Sequence, residues 1–199
     1  PDLLATGSEH ITLPIGRKSL ATLRHVRSLR RLFASLRPDI VHARSRLPAW
    51  LARGALRGLA TRPAFVTTVH GLNSAGVYSG VMASGDRVIC VSNTVREHVL
   101  RQWPATDPGK LVVIERGIDP AQFPRDALVD ADTRAQWQAE FPALAGGFVL
   151  LMPGRGTRLK GHHAAIGLLA ALRAQGLDAR LWLLGTRDAG REAYVAELE

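Results

Sequence analysis

The sequence has little of what builds disulfide-linked, membrane-spanning or nucleic-acid-binding proteins. Its 199 residues include one cysteine, Cys90, which excludes an intramolecular disulfide framework and predicts a reducing, cytoplasmic environment. No apolar run approaches the roughly 20 residues that a membrane-spanning helix needs, and the N-terminus lacks the basic-then-apolar layout of a signal peptide. Aromatic residues make up 6%, and no basic stretch is interleaved with rings on which bases could stack. Nucleic acid is therefore not a predicted partner.

Metal-binding patterns are also scarce. The sequence contains no HExxH motif and no cluster of cysteines and histidines. The adjacent His162 and His163 point to different sides of a predicted helix, unlike a ligand pair at positions i and i+4. We therefore predict no bound metal.

Acidic residues are few relative to basic ones, with 17 Asp and Glu against 26 Lys and Arg and a net charge of +9. Such an excess predicts an anionic partner, and a membrane surface or a phosphorylated substrate fits best. The excess is greatest in segment 17–37, which has no acidic residue. A helix there has one apolar arc and one basic arc, the latter formed by Arg24, Arg27, Arg30 and Arg31. Two interpretations stay open: a sheet-covering helix with a solvated basic face, or a helix that docks this face on anionic lipid.

Short β-branched runs alternate with longer segments rich in Ala, Leu and Arg. Strands are predicted at 10–15, 39–43, 64–69, 86–91, 111–115, 148–152 and 179–184, and helices at 19–36, 47–60, 73–83, 94–102, 162–175 and 190–199. Apolar strands separated by helices are typical of parallel sheets covered on both faces, so the predicted fold class is α/β.

This alternation of strands and helices stops at residues 120–147, a stretch with three prolines and a Gly-Gly pair. We therefore predict two Rossmann-like domains: one at 1–122, a linker with one helix at 123–146, and the beginning of a second at 147–199.

The predicted strand at 148–152 is followed by the sequence PGRGTRLKG at 153–161 and then by an Ala/Leu-rich helix. In an open α/β sheet, ligands bind at the carboxyl ends of the strands, where helix N-termini present unpaired N–H groups. Gly154 allows the backbone to approach a phosphate, and Arg155, Arg158 and Lys160 supply three cations. The spacing matches neither a Walker loop nor the dinucleotide fingerprint. The segment predicts a diphosphate cradle, with solvated cations beside a turn as the alternative.

Polar residues also follow other predicted strands. His70, followed by Gly71, ends the strand at 64–69, which puts an imidazole at the carboxyl edge of the first sheet. The further polar residues at predicted strand ends are His42, Arg44, Ser45, Gly185 and Thr186. For His42 and Ser45, phosphate contact and a polar network that fixes the loop are both open. Ser92 is predicted to cap the following helix.

Five segments, in one order along the chain, resemble the retaining family-four glycosyltransferases of the GT-B fold. They are HARSRLPAW at 42–50, TVHG at 68–71, SNTVR at 92–96, VIERGID at 113–119 and GRGTRLKG at 154–161. The first of these is similar to a branch of bacterial cell-envelope transferases that includes lipopolysaccharide enzymes. Three residues depart from the family's pattern. Glu115 occupies a position where the family usually has Pro, and Arg116 one where many members have Asn. Gly156 replaces an apolar residue, which is expected to loosen the loop.

The resemblance implies two Rossmann-like domains whose parallel sheets face each other across a cleft. The first domain would lie on the acceptor side, and the second would bind the nucleotide sugar. Arg155 and Lys160, with Gly154, would hold the donor diphosphate and stabilise it as it leaves, while His70 would approach the reacting centre. The resemblance implies further cleft contacts from Gly71, Arg44, Ser45, Arg116, Arg158, Gly185 and Thr186.

The implied reaction moves a sugar, with retention, from a UDP-, GDP- or ADP-sugar to a cell-envelope glycan or lipid-linked acceptor. No cofactor is implied beyond this co-substrate, and the protein would work in the cytoplasm, peripherally at the inner face of the cytoplasmic membrane. The family's first strand would precede Pro1 and its paired donor-side glutamates would follow Glu199, so the chain alone is expected to be inactive. The alternatives are a GT-B sugar-phosphate synthase or phosphorylase, and a non-catalytic basic α/β module that binds anionic membrane or another polyanion.

Overall fold

The computed structural model of the chain describes residues 6–15, 22, 24–125 and 129–199. The chain divides into two compact units, Pro1–Asp119 and Pro120–Glu199. In the described residues, each unit contains one sheet whose strands are all parallel. The predicted fold class, α/β with parallel sheets, is therefore confirmed.

The first unit is built on a four-stranded sheet in the order β1-β2-β3-β4. The strands are β1 (Ile40–Ala43), β2 (Ala64–Val69), β3 (Arg87–Cys90) and β4 (Leu111–Val113), and the helices are α1 (Arg24–Leu36), α2 (Arg46–Leu56), α3 (Val77–Gly80) and α4 (Asn93–Gln102). Parallel neighbours need a crossover connection, which α2, α3 and α4 provide. As a result, all four carboxyl ends lie along one edge of the sheet.

The core of the first unit lies between this sheet and its helices. Strand side chains such as Phe65, Val69 and Val88 are almost completely buried, because apolar residues point to both covered faces of a parallel sheet. The hydroxyl of Thr67 is buried as well, and it donates a hydrogen bond to the carbonyl oxygen of Met82 at 2.6 Å. Burial also raises the pKa of the Cys90 thiol, which suits an inert packing role.

Two predicted elements of the first unit are wrong. Residues 10–15 form no strand: Pro14 lacks an N–H to donate, and in this stretch Ile15 N–H bonds only to the nearby Leu13 carbonyl oxygen. The predicted helix at 73–83 is reduced to α3 and a 3-10 turn at Val81–Ala83. Gly76, which lies inside the predicted helix, has φ +123°. A regular helix cannot run through a residue in this conformation, so α3 begins after it.

The second unit contains the two-stranded sheet formed by β5 (Phe148–Pro153) and β6 (Ala179–Leu184). Its helices are α5 (Ala131–Glu140), α6 (His162–Ala174) and α7 (Glu192–Leu198). Asp130 caps α5 by accepting hydrogen bonds from the Thr133 N–H and hydroxyl at 2.8 and 2.7 Å. Within the described residues of both units, no helix is both long and apolar enough to cross a membrane.

Candidate functional site

The carboxyl edge of the first sheet brings together four basic side chains from three strand ends. His42 lies within β1 and Arg44 directly follows it, His70 follows β2, and Arg116 follows β4. We call these four residues the edge cluster. Parallel pairing explains this proximity, because residues far apart in sequence leave adjacent strands at the same edge.

His70 is the centre of the edge cluster. The Arg116 guanidinium donates a hydrogen bond to His70 Nδ1 at 2.7 Å. The pKa of His70 is lowered first by burial of the ring and then by the positive charges of Arg116 and Arg44 and by His42. Each of these effects disfavours the imidazolium form and favours the neutral ring.

His42 pairs with Thr68, a residue of β2. Its Nε2 lies 2.7 Å from the Thr68 hydroxyl oxygen on β2. Burial and then Arg44 lower the pKa of His42. The structure therefore favours the polar-network interpretation of this histidine.

Ser45 stands at the N-cap position of α2 but makes no capping hydrogen bond through its side chain. By contrast, the predicted cap at Ser92 is confirmed, since its hydroxyl oxygen accepts the Val95 N–H at 3.2 Å.

The segment after His70 and Gly71 is held by side chains from α2 and from the end of α4. The Trp50 indole donates to the Tyr78 carbonyl oxygen at 3.0 Å, and the Trp103 indole donates to the Gly76 carbonyl oxygen at 3.3 Å. Arg46 donates to the Ser79 hydroxyl at 3.2 Å. These contacts fix an irregular segment beside the edge cluster.

In the second unit, residues 153–161 join β5 to α6. We call this segment the donor loop, after the ligand that the sequence analysis predicts for it. Its Gly154 N–H donates to the Leu184 carbonyl oxygen at 2.8 Å. Gly156 is buried against the turn that follows β6, and a Cβ built on it would lie 2.4 Å from the Thr186 carbonyl oxygen. The expectation that Gly156 loosens this loop is therefore wrong. Its missing side chain lets two strand-end turns, those at 154–157 and 185–187, pack backbone to backbone.

The three cations of the donor loop differ in their surroundings. Arg155 and Lys160 are exposed, and neither has an ion-pair partner among the residues that the structure describes. Gly154 lies under Lys160, since a Cβ at Gly154 would be 3.5 Å from Lys160 Cγ. Arg158 instead bonds to Glu197 on α7 at 2.6 Å. Arg155 and Lys160 thus remain in this loop as cations without a carboxylate partner among the described residues.

Of the two adjacent histidines at the start of α6, His162 is completely buried, and its Nδ1 lies 3.2 Å from the Tyr194 hydroxyl. His163 is exposed and lies 3.0 Å from the Glu197 carboxylate. They therefore connect the start of α6 to α7. Asp130 and Asp132 form an Asp-x-Asp pair, so the expectation that the sequence lacks this spacing is wrong, but Asp130 is engaged as the cap of α5. Within the described ranges, no group of three or more His, Cys, Asp or Glu side chains could hold a metal ion.

The predicted site residues thus fall into two groups. The first unit brings His70 and Arg116 into contact and places Arg44 near them, with Gly71 and Ser45 in the neighbouring connections. The second unit brings together the donor loop and the turn after β6 at residues Gly154, Arg155, Lys160, Gly185 and Thr186. The features that sequence reasoning missed are the pairing of Arg116 with His70 and the contact of Gly156 with Thr186. Both are long-range contacts that spacing along the chain does not reveal.

Solved structures of glycosyltransferases share this fold. A glycosyltransferase from Rickettsia africae ESF-5 superposes with a TM-score of 0.76 at 27% identity, covering 98% of this chain and 52% of that one. The apo form of the lipopolysaccharide outer core galactosyltransferase WaaB gives 0.58 at 16% identity, with 91% and 47% covered. Sucrose-phosphate synthase from Thermosynechococcus elongatus gives 0.65 at 22%, with 96% and 54% covered. The chain therefore spans about half the length of these proteins, and the predicted GT-B type of fold is confirmed.

A search of the curated proteins found no significant match. A comparison with protein families did find one. The family model of Glycosyltransferase Family 4 matches residues 5–122, more than half of the chain, and this range includes the whole edge cluster. The chain belongs to Glycosyltransferase Family 4.

Proposed function

We propose that the full-length protein transfers a sugar, with retention of anomeric configuration, from a nucleotide-diphosphate sugar to a cell-envelope glycan or lipid-linked acceptor. The observation that carries this proposal is the donor loop with its two free cations, Arg155 and Lys160. The family membership supports the reaction class. The likeness to a lipopolysaccharide galactosyltransferase, at 16% identity, concerns the fold alone.

The donor loop has the properties that a diphosphate site requires. Arg155 can bind phosphate oxygens through two parallel N–H groups, and Lys160 adds a mobile point charge. The loop leads into α6, a helix of 13 residues whose first N–H groups and macrodipole also favour an anion. Because Gly154 has no side chain, the backbone and the stem of Lys160 lie close together there. All of these features attract the same ligand charge.

The proposed transfer breaks the bond between the anomeric carbon and the diphosphate oxygen and forms a bond from that carbon to the acceptor oxygen. The acceptor proton passes to the leaving phosphate on the same face of the sugar. Negative charge grows on the diphosphate in the transition state, so the fixed cations Arg155 and Lys160 stabilise that state more than the ground state. His70 and its neighbours Gly71, Arg44 and Ser45 would face the sugar and the acceptor.

Titration of the full-length protein with UDP, GDP and ADP by isothermal calorimetry tests the donor site. We expect one of these nucleotides to bind, and Arg155→Ala or Lys160→Ala to weaken that binding about 10–100-fold. This range corresponds to the loss of a charge-assisted hydrogen bond, roughly 1.5–3 kcal/mol. Arg134→Ala is a matched control, because Arg134 is an exposed arginine on α5 and its loss changes the net charge equally.

The same titration separates the alternatives. A protein that binds none of the three nucleotides, or whose Arg155→Ala variant binds as tightly as the wild type, would not be a nucleotide-sugar transferase. Such a result would favour a basic module that binds a polyanion. A synthase or a phosphorylase would instead be identified by its co-substrate, a sugar phosphate or inorganic phosphate. The likeness to sucrose-phosphate synthase, at 22% identity, concerns the fold alone.

We further propose that α1 docks the protein on the inner face of the cytoplasmic membrane. Arg24, Arg27 and Arg31 are exposed on this helix. Arg30 differs, because its guanidinium donates to the carbonyl oxygens of Gly54 and Ala55 on α2, each at 3.3 Å. The basic face is thus formed by three arginines rather than the four predicted. Arg17 and Lys18 of the predicted basic segment lie outside the described residues.

Flotation with liposomes that contain anionic lipid tests this docking. Replacing Arg24, Arg27 and Arg31 together with glutamine is expected to reduce partitioning about 100-fold, because each basic residue near an anionic surface contributes about 1 kcal/mol. Arg30→Gln is the control: it should float like the wild type and lower the stability of the fold. Equal flotation of the triple variant and the wild type would contradict a membrane role for α1.

A further inference from the structure

Arg116 reaches His70 across the end of an intervening strand. His70 follows β2 and Arg116 follows β4, and β3 lies between those strands in the sheet. The guanidinium nitrogen is nevertheless 2.7 Å from His70 Nδ1. In the part of the chain that the structure describes, no hydrogen bond reaches the other ring nitrogen, Nε2.

We propose that Arg116 is a positioning residue that holds His70 as a neutral imidazole with its proton on Nε2, so that Nε2–H can donate a hydrogen bond to the bound sugar. This inference rests on the proposed transferase function for its ligand. The tautomer itself follows from the contact alone.

The proton assignment follows from the chemistry of the two groups. An arginine guanidinium has five N–H donors and no acceptor, so the atom that it contacts must supply a lone pair. His70 Nδ1 is therefore unprotonated. An imidazolium carries a proton on both nitrogens and could not accept this bond, and the remaining proton of the neutral ring lies on Nε2. With that proton in place, Nε2 cannot act as a general base.

The charges around the ring favour the same state. His42 and Arg44, from β1 and its carboxyl end, and Arg116, from the end of β4, all act with burial to lower the pKa of His70. No carboxylate is among the groups that shift it. Since the pKa lies below its ordinary value of 6.5, His70 stays neutral at pH 7 and into mildly acidic solution.

A neutral donor suits the proposed reaction better than a cation would. The sugar becomes oxocarbenium-like as its bond to the diphosphate breaks, so a positive imidazolium beside it would raise the energy of the transition state. A neutral Nε2–H can bind a sugar oxygen without adding this repulsion. Arg116 would thus contribute by controlling the protonation of His70.

Nitrogen NMR of the full-length protein with labelled histidine tests the assignment directly. In the wild type we expect His70 to show a protonated Nε2 and an unprotonated Nδ1 at pH 7. Arg116→Ala is expected to raise the pKa of His70 towards 6.5 and to populate the second neutral tautomer. Arg116→Lys keeps a charge and a donor, so its pKa should lie between these two. Arg125→Ala, which removes an exposed arginine further along the chain, should leave His70 unchanged.

A wild-type His70 with its proton on Nδ1, or an Arg116→Ala variant with the wild-type tautomer and pKa, would overturn the proposal. The dependence of kcat on pH gives a second readout: the loss of activity on acidification should move to higher pH in Arg116→Ala. The two proposals fail separately. Absence of sugar transfer with an intact nitrogen spectrum would remove the transferase function only, whereas transfer with the wrong tautomer would remove the role of Arg116 only.

Discussion

Arg155→Ala and Lys160→Ala are each expected to lower the kcat of the full-length protein by about 10²–10³-fold. This is the usual cost of removing one preorganised hydrogen-bond donor that stabilises negative charge in the transition state. This loss should exceed the effect of the same substitution on nucleotide affinity. The reason is that negative charge on the diphosphate is larger in the transition state than in the ground state. Steady-state kinetics with the nucleotide sugar that binds would measure both kcat and KM.

Two further variants sharpen this test. Arg158 belongs to the same loop but bonds to Glu197, so Arg158→Ala should cost much less in kcat than Arg155→Ala. Because Arg155 and Lys160 act on one charge, the double variant should lose less than the product of the two single losses. If kcat stayed unchanged and only KM rose, the two cations would bind the donor uniformly and would not stabilise the leaving group.

The parts of the fold that local pattern determines were predictable. Strands β2 and β6 were predicted with the bounds that the structure shows, since each is an apolar run flanked by turn residues. Strand-end position also predicted that His70 and Arg44 lie on one sheet edge. The strand predicted at 10–15 shows the limit of this reasoning, because an apolar run forms a strand only when a neighbour satisfies its backbone.

Long-range contacts of side chains account for the rest. Arg30 looked like part of a solvated basic face, but it bonds to two carbonyl oxygens of α2. Arg158 looked equivalent to Arg155 and Lys160, yet α7 supplies it with a carboxylate. Helical periodicity and loop composition give the direction of a side chain but not its partner. The same holds for Arg116, whose contact with His70 spans 46 residues of sequence.

Gly156 provides the strongest structural prediction for the second unit. The Cβ of an alanine there would lie 2.4 Å from the Thr186 carbonyl oxygen, closer than side-chain carbons approach backbone. Two main-chain segments would have to separate, so we expect Gly156→Ala to lower the free energy of unfolding by about 1–3 kcal/mol, as overpacking does in other proteins. Denaturant unfolding of the full-length protein, followed by a probe in the second unit such as Trp182, would measure this change.

Gly167 offers a matched control in the same unit. It lies within α6, and a Cβ built on it meets nothing within 4 Å. Gly167→Ala should therefore stabilise the protein by roughly 0.5–1 kcal/mol, because alanine loses less backbone entropy in a helix. Opposite signs for these two substitutions would show that Gly156 is required for close packing of the donor loop against the turn after β6. Equal small effects would mean that the loop is free to shift, and the preorganisation proposed for Arg155 and Lys160 would then lose its structural support.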